Sequence, residues 1–577
     1  MCAIIGQIGG KINKKIFIEA RDSMKHRGPD GEGVYYGITD EVVALGHRRL
    51  AILDLSLAGN QPMFSHDKRF VVVFNGEIFN FIELKKELSE FKFKTGTDTE
   101  VLLAAYQKWG KSCLLKFNGQ FAFAIYDTRE KELFCARDNF GIKPFYYSFE
   151  NGVFKFASEI KALIKLGVGS QPNDKIIFEY LRHAFYDHSK ETFFKGINRL
   201  MPGECAVWKK NKLTIKTYWD LALLKDKENQ YDNISRTDAL DLFKTLMADA
   251  IRLQFRSDAP VGLNVSSGLD SMSMLFFANS LMGEQLRLFS AGLADADYDE
   301  VKYLKNLLSK KQKNFLYTSK LTPEKTWWLK DRLTEIQDEP YGGFSTINYF
   351  NLYEETGILG VKVLLEGQGA DEILGGYKYY ETGGRENNIS QDLTREGEPG
   401  IIDSKFALKF KDLKTDFPKP FKSDLLNMQY RDIKYIKMPR VLRFNDHISM
   451  AYGRELRVPY LDYRLAEFCF FLPKRLKMED GRFKTLLRDS MEGIVPDEGK
   501  NKPKFFFGAF QTKWLRRHFK KEVYDIINSP SFKNRPYWNS VKVKEKVDEF
   551  FSGKGDNSFF LWQLLDLEAW FRKYIDD

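Results

Sequence analysis

Met1-Cys2-Ala3-Ile4-Ile5-Gly6 is the stretch on which the fold and chemistry of this chain turn. A thiol directly behind the initiator Met becomes the first residue once that Met is removed, and Cys is small enough for the removal. The freed α-amine then sits on the same residue as the sulfur. Its ordinary pKa of about 7.7–8.0 lets it accept the thiol proton near neutral pH. Cys2 is therefore a candidate nucleophile that carries its own base. The plainer alternative is a buried Cys opening a strand, since free Cys is among the most buried residue types. Residues further along decide between the two.

The chain has 577 residues, 43% hydrophobic and 29% charged, a soluble globular make-up. Length alone suggests about four units of ordinary size; the element pattern gathers them into two. The 49 Phe and 27 Tyr point to cores filled by rings. The net charge of +10 is spread in short basic runs (Lys14-Lys15, Lys209-Lys210, Lys310-Lys311) with acids interleaved. A nucleic-acid binder concentrates such residues in a patch, so no nucleic-acid partner is expected, and the excess suits small anionic substrates. Cys2, Cys113, Cys135, Cys205 and Cys469 are far apart with no C-x-x-C pair, against a zinc site or a disulfide framework. There is no secretory leader pattern and no apolar run of ~18 residues. A reduced, cytoplasmic setting without a membrane span is expected.

After the first strand, Cys2 to Gly9, a helix is expected from about Lys15. The loop His26-Arg27-Gly28-Pro29-Asp30-Gly31 follows. Strands are then expected at Val42–Gly46, Phe70–Phe74, Phe121–Tyr126, Leu133–Ala136, Phe145–Ser148 and Val153–Ala157, with helices at Phe81–Leu88 and Glu100–Trp109. This is an α+β pattern of packed sheets. Three polar clusters fall at strand ends: His47-Arg48-Arg49-Leu50, Asn75 to Asn80, and Gly96 to Glu100. Each has a plain reading. Arg49 could pair with a surface acid, Asn75-Gly76 could be a hairpin turn, and Asp98 could cap a helix beginning at Thr99. Together they supply what hydrolysis of an α-amino-acid amide needs. An Arg clamps the α-carboxylate, acids hold the α-ammonium, and a side-chain amide with a Gly N–H stabilises the oxyanion.

Met-Cys-Ala-Ile-Ile-Gly, His26-Arg27-Gly28-Pro29-Asp30-Gly31, Arg49-Leu50-Ala51-Ile52-Leu53-Asp54, Asn75-Gly76-Glu77-Ile78-Phe79-Asn80, Thr97-Asp98-Thr99-Glu100 and Arg137-Asp138-x-x-Gly141-x-Lys143-Pro144 occur in that order. The series closely resembles the glutaminase domain of class II glutamine amidotransferases, of the asparagine synthetase kind. The resemblance implies an Ntn-hydrolase-like αββα sandwich over residues 1–220. It also implies roles: Cys2 attacks the glutamine carboxamide, Arg49 holds the α-carboxylate, and Glu77 and Asp98 hold the α-amino end. Asn75 and Gly76 would receive the oxyanion, with Asn75 also lining the glutamine site.

Leu223–Ser235 is polar and charged, a linker by composition. From Thr237 long helices alternate with apolar strands, so residues 236–577 are expected to form an α/β domain on a parallel sheet. Its centre is Val261–Val265, then Ser266-Ser267-Gly268-Leu269-Asp270-Ser271, then a helix through Met272–Met282. Strand, small-residue loop and helix point backbone N–H groups at phosphates. The Walker pattern is absent; taken alone, the loop reads equally well as a linker or helix cap. It resembles instead the PP-loop of enzymes that cleave ATP to AMP and pyrophosphate, with Ser267 in place of the family's first Gly. By that resemblance ATP is bound by Leu263, Ser266, Ser267, Gly268, Asp270, Ser271, Gly292, Gly367 and Gln368. Asp270 and Asp371 would hold Mg²⁺, since hard carboxylate oxygens suit that metal. Lys484 would steady the phosphoryl charge; its plain reading is an exposed helix Lys.

One departure stands out. The family pattern Ser-Gly-Glu-Gly-x-Asp-Glu reads here Glu366-Gly367-Gln368-Gly369-Ala370-Asp371-Glu372. The family Glu can take a proton from incoming ammonia, and a neutral amide cannot. Residues 381–404, rich in Gly, Asn and charge, suggest a mobile loop or lid. The helix Phe559–Phe571 is amphipathic, its aromatics most simply core.

The sequence thus reads as a two-domain, glutamine-dependent amidotransferase that forms an acyl-adenylate with MgATP. Ammonia passing between the two sites is the family's implication. Asparagine synthesis from aspartate leads. The alternatives are the same chemistry on another carboxylate, such as a uronic-acid sugar of surface polysaccharides, and a glutaminase or regulatory protein with a disabled synthetase site. The partners are small molecules, with a homodimer open to it.

Overall fold

The computed structural model describes residues 2–37, 43–282, 285–295, 300–309, 314–383, 400–493 and 507–576. The first half runs β1 (Ala3–Ile8), α1 (Lys14–Asp22), β2 (Gly31–Tyr36), β3 (Val43–Arg49), β4 (Met63–Phe64), β5 (Phe70–Ile78), α2 (Phe81–Glu87) and α3 (Asp98–Trp109). It continues with β6 (Gly119–Asp127), β7 (Glu132–Arg137), β8 (Tyr146–Glu150), β9 (Val153–Ala157), α4 (Ile160–Lys165), α5 (Asp174–His183), β10 (Asn198–Arg199), β11 (Glu204–Lys209) and β12 (Lys212–Thr217). Two antiparallel sheets result, in the orders β10-β8-β9-β1-β3-β2 and β12-β11-β7-β6-β5-β4.

Alternation along the strands shows how they stack. Ile4 and Ile8 of β1 pack with Val71 and Val73 of β5 between the sheets, while Ala3 and Ile5 face Phe17 and Ala20 of α1. On the other sheet Val72 and Phe74 turn outward to Val101, Leu102 and Ala105 of α3. Successive side chains on a strand point to opposite faces, so a strand apolar at every position is covered on both. That is an αββα sandwich, the expected fold.

Two of the plain local readings do not hold. The Asn75-Gly76 pair does not turn: β5 continues through it, with Asn75 opposite Ala122 and Glu77 opposite Gln120 of β6. Helix α3 is capped by Thr97, whose hydroxyl accepts from Glu100 N at 3.4 Å; Asp98 lies in the first turn and is used elsewhere. The strand β2, rich in Gly and Tyr, lacks the buried apolar run that marks its neighbours and lies outside the expected strands.

The second half runs α6 (Arg236–Gln254), β13 (Val261–Asn264), α7 (Leu269–Met282), β14 (Arg287–Leu293), α8 (Val301–Ser309), β15 (Phe315–Leu321), α9 (Pro323–Gln337), α10 (Gly343–Ile358), β16 (Val363–Leu365) and α11 (Ala370–Leu374). Then follow α12 (Tyr379–Thr382), α13 (Ser404–Leu408), α14 (Asp424–Arg431), α15 (Met438–Met450) and β17 (Glu455–Arg457). The sheet is wholly parallel, in the order β15-β14-β13-β16-β17. The chain moves outward from β13 in both directions, so the carboxyl ends of β13 and β16 flank a topological switch point. In open α/β sheets that crevice is where ligands bind.

Of the proposed lid, residues 384–399 lie outside the described residues. The helix Ser558–Tyr574 buries Leu561, Trp562, Leu565, Trp570 and Phe571, which is the core role expected for it. No described helix is long and apolar enough to cross a membrane.

Candidate active sites

Cys2 sits at the head of β1, 8% exposed. Its backbone nitrogen, the atom that removal of Met1 would free as an amine, donates to Asn75 Oδ1 at 3.0 Å. The sulfur lies 4.0 Å from the Leu50 carbonyl. Burial pushes the thiol pKa up, opposed by that carbonyl contact and by Arg49. Asn75 Nδ2 is buried with no hydrogen-bond partner, an amide donor on the side chain that binds the Cys2 nitrogen, which an oxyanion would satisfy. Gly76 is required by close approach: a Cβ there would stand 2.1 Å from the Gln120 carbonyl across the sheet. His47 is not a base for this thiol. Its Nε2 meets the Phe74 carbonyl at 3.1 Å, and burial pulls its pKa down to about 3, leaving it neutral.

The Arg49 guanidinium is held by the carbonyls of Ser56 at 2.5 Å, Leu53 at 3.3 Å and Asp54, and by Asn60 Oδ1 at 3.2 Å. Those partners are neutral, so its charge is available to a carboxylate. Gly59 makes room for it, since a Cβ would come within 2.0 Å of Nη2. Opposite in character are Glu77 and Asp98, both buried. Burial raises the Glu77 carboxyl well above its ordinary range, and Asp98 and Glu455 add to it. Burial likewise lifts Asp98 to about 7, although its carboxylate accepts from Ile78 N at 2.7 Å. Two adjoining acids this far desolvated favour a cationic ligand.

The second cluster lies at the switch point. The loop after β13 is self-bonded: Ser266 N donates to Ser271 Oγ at 3.0 Å, and Gly268 N to Ser266 Oγ at 3.2 Å. Ser267 N donates to Glu300 Oε2 at 3.3 Å, a carboxylate where an anionic ligand would bring its own oxygens. Ser267 needs no positive φ, so the loop accommodates a side chain at that position. Lys484 is not an exposed helix residue. It is 7% exposed, and its Nζ lies 2.6 Å from both Asp270 Oδ2 and Asp371 Oδ1. A Cβ on Gly376 would stand 2.0 Å from Asp371 Oδ1 and 2.3 Å from Lys484 Cε, so that Gly admits the cluster. Gly367 packs against the Asp270–Ser271 backbone, its would-be Cβ 3.2 Å from Ser271 N. Leu263 lies in the apolar core, with its backbone paired between Leu288 and Leu365. Gly292 is inside β14, opposite Lys320, and Gln368 is half-buried.

Two family models match the chain: a glutamine amidotransferase domain over residues 1–219 and asparagine synthase over residues 242–572. The chain belongs to the asparagine synthase family. Among curated members, "Asparagine synthetase [glutamine-hydrolyzing] 1" of Bacillus subtilis is 29% identical, over 94% of this chain and 91% of that protein. "Putative asparagine synthetase [glutamine-hydrolyzing] 2" of Methanocaldococcus jannaschii is 34% identical, over 67% of this chain and 77% of that protein. A solved glutamine phosphoribosylpyrophosphate amidotransferase from B. subtilis matches at 17% identity with a TM-score of 0.29, covering 52% of this chain and 68% of that one. This asparagine synthase family member is a glutamine-hydrolysing, ATP-dependent ligase.

Sequence reasoning missed the wall between the two clusters. Arg27 is fully buried; its Nε donates to the Cys2 carbonyl at 3.2 Å, and its Nη1 lies 2.8 Å from Asp446 of α15 and 3.1 Å from Glu159. From β17, Arg457 pairs with Glu455 at 2.6 Å and faces Glu77 at 3.7 Å. Gln120 and Lys143 of the first half donate to the Leu456 carbonyl at 3.1 and 3.3 Å. The signal was present in Glu455-Leu456-Arg457: period-two spacing puts both charges on one face of a strand.

Proposed function

We propose that this enzyme is an asparagine synthase: glutamine is hydrolysed at Cys2, aspartate is activated with ATP at the PP-loop, and the released ammonia converts the adenylate to asparagine. The observation that carries the reading is the shared wall. On one side of β17 the Arg457 guanidinium faces Glu77; on the other, its carbonyl accepts from Glu366 N at 2.8 Å. A strand three residues long thus serves both clusters.

At the first site Cys2 attacks the carboxamide, and Asn75 Nδ2 with the Gly76 backbone receives the oxyanion. Arg49 takes the α-carboxylate; Glu77 and Asp98 take the α-ammonium. At the second, Leu263, Ser266, Ser267, Gly268, Asp270, Ser271, Gly292, Gly367 and Gln368 form the nucleotide site. Asp270 and Asp371 suit Mg²⁺, because their oxygens already flank one cationic centre, 2.6 Å on either side of Lys484 Nζ. Among the described residues no group of three or more His, Cys, Asp or Glu side chains is placed to hold a metal, so phosphate and water oxygens would complete the shell. Bound there, Mg²⁺ would neutralise phosphate charge during adenylation, and Lys484 would move from the carboxylates to the phosphoryl oxygens. The domains are assigned to residues 1–220 and 236–577. Five free cysteines fit a cytoplasmic setting.

A second reading is favoured by Glu366 and Gln368, which alter the acceptor side of the cleft: the same chemistry on a uronic-acid sugar. Incubation with glutamine, ATP and either aspartate or a uronate panel, read by product mass, separates the two. Asparagine as the amidated product supports the first; amidation of uronates alone overturns it.

A further inference from the structure

Glu366 follows the last residue of β16 at the switch point, and Asn264 ends β13 on the other side of the same crevice. The Glu366 carboxylate is 3% exposed. Its Oε1 accepts from Asn264 Nδ2 and from the Tyr353 hydroxyl of α10, and its Oε2 accepts from Asn445 Nδ2 of α15 at 3.0 Å. Among the described residues no cation pairs with it. Asn264 Oδ1, on the amide whose nitrogen is turned to Glu366, is buried with no partner. The crevice floor therefore offers a carboxylate oxygen with a lone pair to spare and an orphaned amide oxygen. An unpartnered amide oxygen beside a carboxylate oxygen that still has acceptor capacity calls for a ligand that brings N–H donors.

Among the described residues, the acids nearest the loop and Lys484 are committed. Asp270 and Asp371 hold Lys484, Glu372 accepts from the Tyr377 hydroxyl at 2.6 Å, and Glu300 accepts from Ser267 N. Gln368 is an amide and takes no proton at any working pH. Glu366 also adjoins the wall toward the first site, because Asn445 precedes Asp446, the partner of Arg27. We propose that Glu366, with Asn264 Oδ1 beside it, receives ammonia in the synthetase cleft and accepts the proton that the attacking nitrogen sheds. The inference rests on the function proposed above.

The step balances. The ammonia lone pair forms the C–N bond to the adenylate carbonyl carbon, and one proton passes from that nitrogen to Glu366 Oε2. The C–O bond to phosphate then breaks, AMP leaves with its electron pair, and Glu366 returns the proton to solvent. Burial raises the Glu366 carboxyl above its ordinary range, toward the working pH of a general base. The groups facing it are Tyr353 and Tyr349 of α10, Asn264 of β13 and Asn445 of α15; β17 contributes only the Arg457 carbonyl, to the Glu366 backbone.

The test separates adenylation from amide formation in the full chain. Pyrophosphate–ATP exchange is measured without a nitrogen source, using whichever carboxylate supports it in the unaltered enzyme, aspartate first and uronates next. Amide formation is then followed in single turnover with ammonium chloride. Glutamine hydrolysis at Cys2 reports folding. In Glu366→Gln, amide formation is expected to fall about 10²–10⁴-fold while exchange continues, and the rise with pH that the amide-forming rate shows at a fixed concentration of free NH₃ is expected to disappear. Glu366→Asp is expected to recover part of both. Amide formation within twofold of the unaltered enzyme, with the pH rise intact, overturns the inference. So does a fall in exchange that matches the fall in amide formation. Absence of exchange in the unaltered enzyme with every carboxylate is a different result: it removes the proposed function itself, and the inference with it.

Discussion

At Cys2 the decisive feature is the 3.0 Å contact from its backbone nitrogen to Asn75, since the side chain that orients this nitrogen also carries the unpartnered amide donor. Cys2→Ala should therefore lower glutamine-driven amidation by on the order of 10⁴-fold or more, while ammonium chloride still supports synthesis. Glutamate release and amide yield measured in parallel check this. Asp98 gives a pH prediction. Its carboxyl is raised to about 7 by burial, so the folded site binds a proton that the unfolded chain has released. That contribution to stability is present below the ordinary aspartate range and is lost as pH rises through about 7. A glutamine ammonium favours the ionised form, so KM for glutamine should fall as pH rises from about 6 to 8. In Asp98→Asn the KM should rise roughly tenfold to a hundredfold, the scale of one charge-assisted hydrogen bond, and lose that pH dependence. An unchanged profile would remove Asp98 from the substrate site.

Strand β5 shows what could be read from residues and what could not. Its unbroken apolar run Val71, Val72, Val73, Phe74 was visible, and so were Asn75, Glu77 and Asp98 as candidates, because hydrolysing an amino-acid amide restricts the residue types it can use. That Asn75-Gly76 lies inside a strand was not visible. A hairpin turn and a Gly pressed against a neighbouring strand have the same local composition, and only the register with β6 distinguishes them. The same limit applied to Lys484, whose burial depends on Asp270 and Asp371, distant in sequence. Two predictions belong here. Gly76→Ala places a Cβ 2.1 Å from the Gln120 carbonyl at a φ of +148°. It should destabilise the first half by about 1–3 kcal/mol, seen as a lower first thermal transition with pyrophosphate exchange unaffected. Lys484→Met leaves Asp270 and Asp371 facing each other without their shared cation. Exchange should drop at least about a hundredfold, whereas glutamine hydrolysis in the same preparation should hold.

For the whole molecule, β17 decides how the two chemistries depend on each other. Arg457 is fully buried and holds Glu455 at 2.6 Å and the carbonyls of Gln254 and Arg256 at 2.7 Å each. Its Nη2 faces Glu77 at 3.7 Å. The same residue's carbonyl holds the Glu366 backbone, so a shift of this strand is felt in both clusters. Arg457→Gln removes the guanidinium that pairs with Glu455 and leaves Lys143 to oppose that buried charge, so the loss should stay below the roughly 3–5 kcal/mol of a buried pair broken outright. Glu77 also loses the cation that opposes its burial, so its carboxyl should protonate more readily and KM for glutamine should rise. Synthesis from ammonium chloride does not use Glu77 and should survive wherever the variant remains folded. The diagnostic is the ratio of glutamate released to amide formed: it should rise above that of the unaltered enzyme if β17 couples the sites. An unchanged ratio, in a variant whose KM for glutamine has risen, would make Arg457 a residue of the glutamine site alone.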